Sequence, residues 1–290
     1  MTEFDSTQVK TQFLEVGEVR YAYRRMGQGP GLPLLCLQHF TGTLDNWDPA
    51  LVDALAERRE VILFDNAGIG RSSGTPASTT EAMAAHALAF LDGLGIGRCD
   101  ILGFSLGGMV AQLIALTRPA LVRRLVLAGT APRGGEMIMR LDKPVLAKPL
   151  ADPTLKGYAV LQKIFFAPSD SSQAAGAAYV DRLGQRTEDR EPPSGPQIAQ
   201  AQMAAFQAWG QVEGERFAEL KAIAHPVLVF NGVHDEMIPI QNSYWLAEHL
   251  PNAVLLVFPD AGHGALFQFH RAFSRQVTAF LETDGPWAPD

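Results

Sequence analysis

The chain has 290 residues, enough for one large domain or a domain carrying an insertion, with a substantial core. Its 47% apolar and 19% charged content suits a globular enzyme, and a net charge of −7 without any basic run argues against a nucleic-acid partner. No apolar run approaches the ~18 residues of a membrane span, and "MTEFDSTQVK" lacks the basic and apolar regions of a secretory signal. The expectation is a cytoplasmic protein with no membrane partner, monomeric or homodimeric.

In chain order, "TQFLEV" and "VRYAYRRM" flank a Gly-Glu turn and predict an antiparallel hairpin. "LPLLCLQ" (32–38) is the next strand, and "DPALVDALAERR" carries a helical pattern before the strand "VILF" (61–64). A helix follows in "TTEAMAAHALAFLDGLG", where Ser78 and Glu81 spell a capping box. "DILGF" (100–104) leads into the helical "LGGMVAQLIALTR", ended by Pro119, and then into the strand "LVLAG" (125–129). Residues 133–222 contain no convincing strand, only helical patterns and the polar "TEDREPPSGP", which reads as a linker. "PVLVFNG" (226–232) and "AVLLVF" (253–258) complete the strands. These runs lack period-2 polarity, as expected of a parallel sheet covered on both faces. The prediction is an α/β core of about eight strands from 1–132 and 223–290, with 133–222 inserted as a helical cap. Cys36 and Cys99 lie in strand-like stretches and are expected to be reduced core residues without metal spacing.

Gly-x-Ser-x-Gly, which marks the nucleophile of many hydrolases, occurs twice: "GRSSG" at 70–74 and "GFSLG" at 103–107. Only Ser105 lies between a strand and a helix, whereas Ser72 sits in a long Gly/Ser/Thr/Pro loop. Ser105 is the predicted nucleophile. It needs a base, and the base needs an orienting acid. Of the seven histidines, His86, His249 and His270 lie in helical patterns and His225 starts a strand. His234 abuts the best acid candidate. His263, in the Gly-rich loop after the last strand, is the predicted base. Asp235, after "VLVFNG", is the predicted acid. Glu236 is one residue late, Asp260 is close to the base, and Asp65 is a structural rival. One oxyanion donor is expected at the Leu106 amide and the second in "HFTGTLDNWDP".

The elbow "GFSLGG", "FDNAGIGRSS", "NGVHDEMIP" and "GHG", in the order Ser…Asp…His, strongly resemble the α/β-hydrolase superfamily over nearly the full chain. The resemblance implies an eight-stranded sheet with a helical cap, no cofactor and no metal. Where the family usually has His-Gly-x, this chain reads Gln38-His39-Phe40, so Phe40 takes the donor position and His39 lies near the site. The common Asp-x-Arg-Gly loop is here Asp65-Asn66-Ala67-Gly68. A serine at the elbow argues against haloalkane dehalogenases and epoxide hydrolases, which need an alkyl-enzyme ester.

The expected reaction is cleavage of an ester, thioester or lactone through an acyl-enzyme on Ser105. Alternatives on the same triad are a cofactor-free haloperoxidase-like perhydrolase and a carbon–carbon bond hydrolase. A slow-turnover ligand receptor is the alternative from another class. The substrate is expected to be small and largely apolar, with His39, Met109, Phe165, Phe166, Trp209 and Met237 as candidate contacts.

Overall fold

The computed structural model describes residues 5–283, apart from 137, 139, 141 and 213. β1 (Gln12–Val16) and β2 (Val19–Met26) form the expected antiparallel hairpin. The parallel strands follow: β3 (Leu34–Leu37), β4 (Val61–Phe64), β5 (Cys99–Phe104), β6 (Val122–Ala128), β7 (Val227–Gly232) and β8 (Ala253–Phe258). They form one eight-stranded sheet in the order β1-β2-β4-β3-β5-β6-β7-β8, with β1–β2 and β2–β4 antiparallel and the remaining pairs parallel. Every residue of β3, β4, β5 and β7 is buried, which is why these runs carry no polar alternation. The expected fold class is correct.

The helices are α1 (Pro49–Ala56), α2 (Thr80–Gly93), α3 (Leu106–Thr117), α4 (Pro144–Ala151), α5 (Ala159–Phe165), α6 (Asp170–Leu183), α7 (Pro196–Trp209), α8 (Gln241–His249), α9 (Ala265–Gln268) and α10 (His270–Glu282). α2 packs on α3 and α1 on α10, flanking the sheet. α4 to α7 all fall between β6 and β7, and no strand interrupts them among the described residues.

Three local expectations differ from the structure. The N-cap of α2 is Thr79, which accepts the Ala82 amide at 3.2 Å, while Glu81 is drawn away to Arg133 at 2.6 Å instead of closing a box with Ser78. α4 went unread because its two prolines argue against a helix, yet Pro144 occupies the first turn, where a missing N–H costs nothing. "TEDREPPSGP" is not a free linker. Glu191 is buried there, its carboxylate 3.1 Å from Arg71 Nε and 3.8 Å from Arg24, and its amide donates to Asp45 at 2.8 Å.

Candidate active site

Ser105 ends β5 and opens α3 with φ 57° and ψ −120°, a backbone region that costs a non-glycine residue about 1–3 kcal/mol. The turn is that sharp because strand and helix nearly touch. A Cβ on Gly103 would lie 2.5 Å from the Gly107 carbonyl oxygen, and one on Gly107 would lie 2.1 Å from the Leu37 oxygen. The spacing Gly103-Phe104-Ser105-Leu106-Gly107 therefore has a steric cause. The Ser105 amide donates to Ala128 O at 2.9 Å and Thr130 Oγ1 donates to Ser105 O at 2.8 Å, pinning the elbow.

Asp235 leaves the carboxyl end of β7. Its Oδ1 accepts the amides of Met237 and Ile238, each at 2.9 Å, and its Oδ2 lies 2.8 Å from His263 Nδ1. Asp235 thus uses both oxygens. Since a carboxylate only accepts, the proton of that bond sits on Nδ1, leaving the lone pair of a neutral ring on Nε2. The His263 ring lies between Phe104 (4.9 Å between centroids) and Phe165 (5.2 Å). Ser105 Oγ and His263 Nε2 are both buried without a hydrogen-bond partner among the described residues. Both residues line one cavity of about 250 Å³.

The loop after β3 forms the opposite wall. Among the described residues, neither the Phe40 nor the Leu106 amide donates to another protein group. His39 Nδ1 donates to the Phe40 carbonyl at 2.8 Å, and the ring stands edge-on to Phe165 and Phe104. Burial pushes the His39 pKa down to about 3; the Phe40 carbonyl opposes this and nearby His263 adds to it. The ring is therefore neutral throughout the ordinary pH range.

The family model for the alpha/beta hydrolase fold matches residues 33–269. The chain belongs to this family. A solved alpha/beta hydrolase fold protein from Chitinophaga pinensis is 40% identical with a TM-score of 0.89, covering 97% of this chain and 100% of its own. "Putative carbamate hydrolase RutD" of Caulobacter sp. (strain K31) is 31% identical over 243 residues, 81% of this chain and 85% of that protein. The 2-hydroxymuconate semialdehyde hydrolase of Pseudomonas sp. (strain CF600) is 30% identical over 262 residues, 87% of this chain and 88% of that protein. This α/β hydrolase is an enzyme.

Within it, the predicted site residues separate into two groups. Phe40, His39, Phe165 and Met237 line the cavity with Ser105 and His263. Met109, Phe166 and Trp209 do not, which corrects the sequence reading. Met109 is fully buried on α3, Phe166 packs on Tyr179, and Trp209 turns inward to donate from Nε1 to Ala131 O at 3.1 Å. The sequence reading missed Leu146 and Leu150 of α4 and Leu161 and Ile164 of α5, which close the cavity from above. Their signal was the apolar i, i+3/i+4 spacing on each helix. A wider chamber of about 670 Å³ adjoins, sharing His39, Thr41, Gly157 and Leu161 and walled by Tyr158, Arg190 and Pro192.

The rival residues have other employment. Ser72 Oγ donates to Asp65 O at 2.7 Å and accepts the Ala22 amide at 2.8 Å, joining loop to sheet. His86 bonds Tyr21 and His225 bonds Pro119 O. Asp65 lines a separate space of about 40 Å³ with Gln38, His39 and Gln202. Burial, reinforced by Glu191, raises its carboxyl well above the usual range, against the pull of Arg24. No helix among the described residues is long and apolar enough to cross a membrane.

Proposed function

We propose that this α/β hydrolase cleaves a small, largely apolar carboxylic ester, thioester or lactone through an acyl-enzyme on Ser105. One observation carries the reading: Ser105 and His263, whose Oγ and Nε2 have no hydrogen-bond partner among the described residues, line a single apolar cavity, and Asp235 holds the imidazole in the tautomer that leaves Nε2 able to accept a proton.

In this mechanism His263 takes the proton of Ser105 as Oγ attacks the acyl carbon. Asp235 stabilises the imidazolium that forms. The negative oxygen of the tetrahedral intermediate meets the Phe40 and Leu106 amides, the latter at the N-terminus of α3 where the helix dipole adds to the field. His263 then protonates the leaving group. Water, deprotonated by the same imidazole, releases the acid. Residues 133–222 serve as a cap. It roofs the cavity through α4 and α5 and contacts the substrate away from the reacting bond.

The test is pre-steady-state release from p-nitrophenyl acetate together with mass analysis after a serine-directed phosphonate. A burst and a single adduct on Ser105, both lost in Ser105→Ala, are the expected results. Turnover close to normal in Ser105→Ala would overturn the assignment. A carbon–carbon bond hydrolase is the second reading, favoured by the similarity to a protein named 2-hydroxymuconate semialdehyde hydrolase. An ester, thioester, lactone, carbamate and dienoic ketone panel, ranked by kcat/KM, separates the two.

A further inference from the structure

The wider chamber of about 670 Å³ joins the catalytic cavity through His39, Thr41, Gly157 and Leu161, which line both. Their walls differ in chemistry. The cavity beside Ser105 and His263 is lined mainly by apolar side chains, whereas Tyr158, Arg190 and Ser194 line the chamber. Ser194 Oγ is buried without a hydrogen-bond partner among the described residues, and a buried hydroxyl left so costs free energy. Arg190 stands over the Tyr158 ring at 5.5 Å and donates from Nη2 to the Tyr158 hydroxyl at 3.0 Å. Its carboxylate neighbour Asp45 lies 3.8 Å from Nε, beyond hydrogen-bond range, and is already paired with Arg24 at 2.8 Å. Glu191, the one carboxylate lining the chamber, gives both oxygens to Arg71, which donates from its amide at 2.7 Å and from Nε at 3.1 Å. Around this seam Arg24, Arg71, Arg186 and Arg190 meet Asp45, Asp189 and Glu191. Burial and the neighbouring Glu191 hold the adjoining Asp65 toward its neutral form. One guanidinium is therefore in excess. Arg190, its side chain 44% exposed, is the one that lines the chamber. The chain as a whole carries −7, so this positive excess is local.

We propose that the chamber is an anion subsite and that the substrate is a half-ester or half-thioester of a dicarboxylic acid, its free carboxylate resting against Arg190, Tyr158 and Ser194 while its reacting carbonyl lies at Ser105. A guanidinium and two hydroxyl groups can all donate, and a carboxylate only accepts, so the donors and the anion match. The direction of the substrate follows from the linings. His263 gives its proton to the leaving group, so that group lies on the side of His263, which is not among the chamber's lining residues. The chamber meets the site instead through His39 and Thr41, on either side of the proposed oxyanion donor Phe40, and takes the acyl portion. Methylene groups between the two ends suit the apolar passage at Leu161. The inference deepens the serine-hydrolase reading and rests on it.

The test uses the full chain with p-nitrophenyl hydrogen adipate and p-nitrophenyl hydrogen suberate, each paired with the methyl ester of its free carboxyl group. The readout is the ratio of kcat/KM for the acid to that for its methyl ester, after subtraction of spontaneous hydrolysis. Both members of a pair meet one preparation, so the ratio does not depend on how much of a variant is folded. A hydrogen bond to a charged group is worth about tenfold or more, so the wild-type ratio should reach about 10 for at least one chain length. Salt screens a partly open site, so that ratio should fall severalfold between about 50 and 500 mM NaCl. Arg190→Gln should bring it toward about 1, and Arg190→Lys should restore part of it. Tyr158→Phe and Ser194→Ala should each lower it about two- to fivefold. A wild-type ratio near 1 at both lengths, a ratio indifferent to salt, or a ratio kept in Arg190→Gln would each overturn the proposal. Should Arg190→Gln not fold, a ratio untouched by Tyr158→Phe and by Ser194→Ala overturns it equally. If the methyl esters are not turned over and wild-type protein takes no phosphonate on Ser105, the underlying hydrolase reading fails instead. Turnover of the methyl esters without a preference for charge refutes the anion subsite alone.

Discussion

The backbone of Ser105 can be tested apart from its hydroxyl. Ser105→Ala and Ser105→Gly both remove the unpartnered buried Oγ, and both should abolish turnover. Only glycine also releases the φ 57°, ψ −120° conformation. That release is worth about 1–3 kcal/mol, and the greater freedom of glycine in the unfolded chain takes back about 0.5–1 kcal/mol. Ser105→Gly should therefore exceed Ser105→Ala in stability by about 1 kcal/mol, at most about 2.5 kcal/mol, with the folded midpoint moving by roughly 2–4 °C per kcal/mol. Equilibrium urea unfolding of both variants, followed by far-UV circular dichroism with a check that the slopes agree, measures the difference. If glycine proves equal to or less stable than alanine, the elbow stores no strain, and its φ is as comfortable for alanine as for glycine.

Asp235→Asn should lower kcat by about 10³–10⁴ with the fold intact, because an amide at that position no longer selects the Nδ1–H tautomer; ester kinetics and circular dichroism check it. Phe165→Ala, in the cavity, should reorder kcat/KM among short, long and bulky esters, whereas Trp209→Ala, buried outside it, should cost about 3–5 kcal/mol of stability and leave the ranking alone. Gly107→Ala should fail to fold or lose more stability than any surface change, since its Cβ would strike the Leu37 carbonyl; yield and unfolding midpoint report it. His39 has a folded pKa of about 3 against 6.5 when free, so the unfolded chain takes up a proton that the folded one refuses. The stability His39 confers is present above pH about 6.5 and is lost as pH falls from there toward 3, by about 2–3 kcal/mol between pH 6.5 and 4.5. His39→Asn should flatten that slope in urea titrations at several pH values.

What could be read from the residues is what local sterics dictate. The elbow was legible because Gly103 and Gly107 have no room for a side chain, a constraint that shows in the spelling itself. Asp235 and His263 stood out in the sequence because each lies in the loop after an apolar strand, fully buried in β7 and half-buried in β8, and parallel strands deliver their carboxyl ends to one edge. The cap was harder. Whether Phe165 or Phe166 faces the cavity depends on how α5 and α6 lie on the core, and Tyr179 claims Phe166. Trp209 looked like a pocket wall, but its Nε1 donates to the Ala131 carbonyl, 78 residues away along the chain. Thr79 displaced Ser78 because an ion pair to Arg133, far along the chain, competes for Glu81. In each miss a contact distant in sequence outranked a local preference.

The buried Glu191 bears on how residues 133–222, proposed above as a cap, could be exchanged. A cassette swap cut at residues 133 and 222 would treat the insertion as portable, yet Glu191 inside it meets Arg24 of β2 and Arg71 of the loop beyond β4. Arg24 is only 2% exposed and also pairs with Asp45 at 2.8 Å, so its charge has little recourse to water. A foreign cap lacking that carboxylate would leave two guanidinium groups short of a partner at the seam. The modular boundary is therefore discontinuous: the donor cap must bring its own glutamate, or Arg24 and Arg71 must be replaced with it.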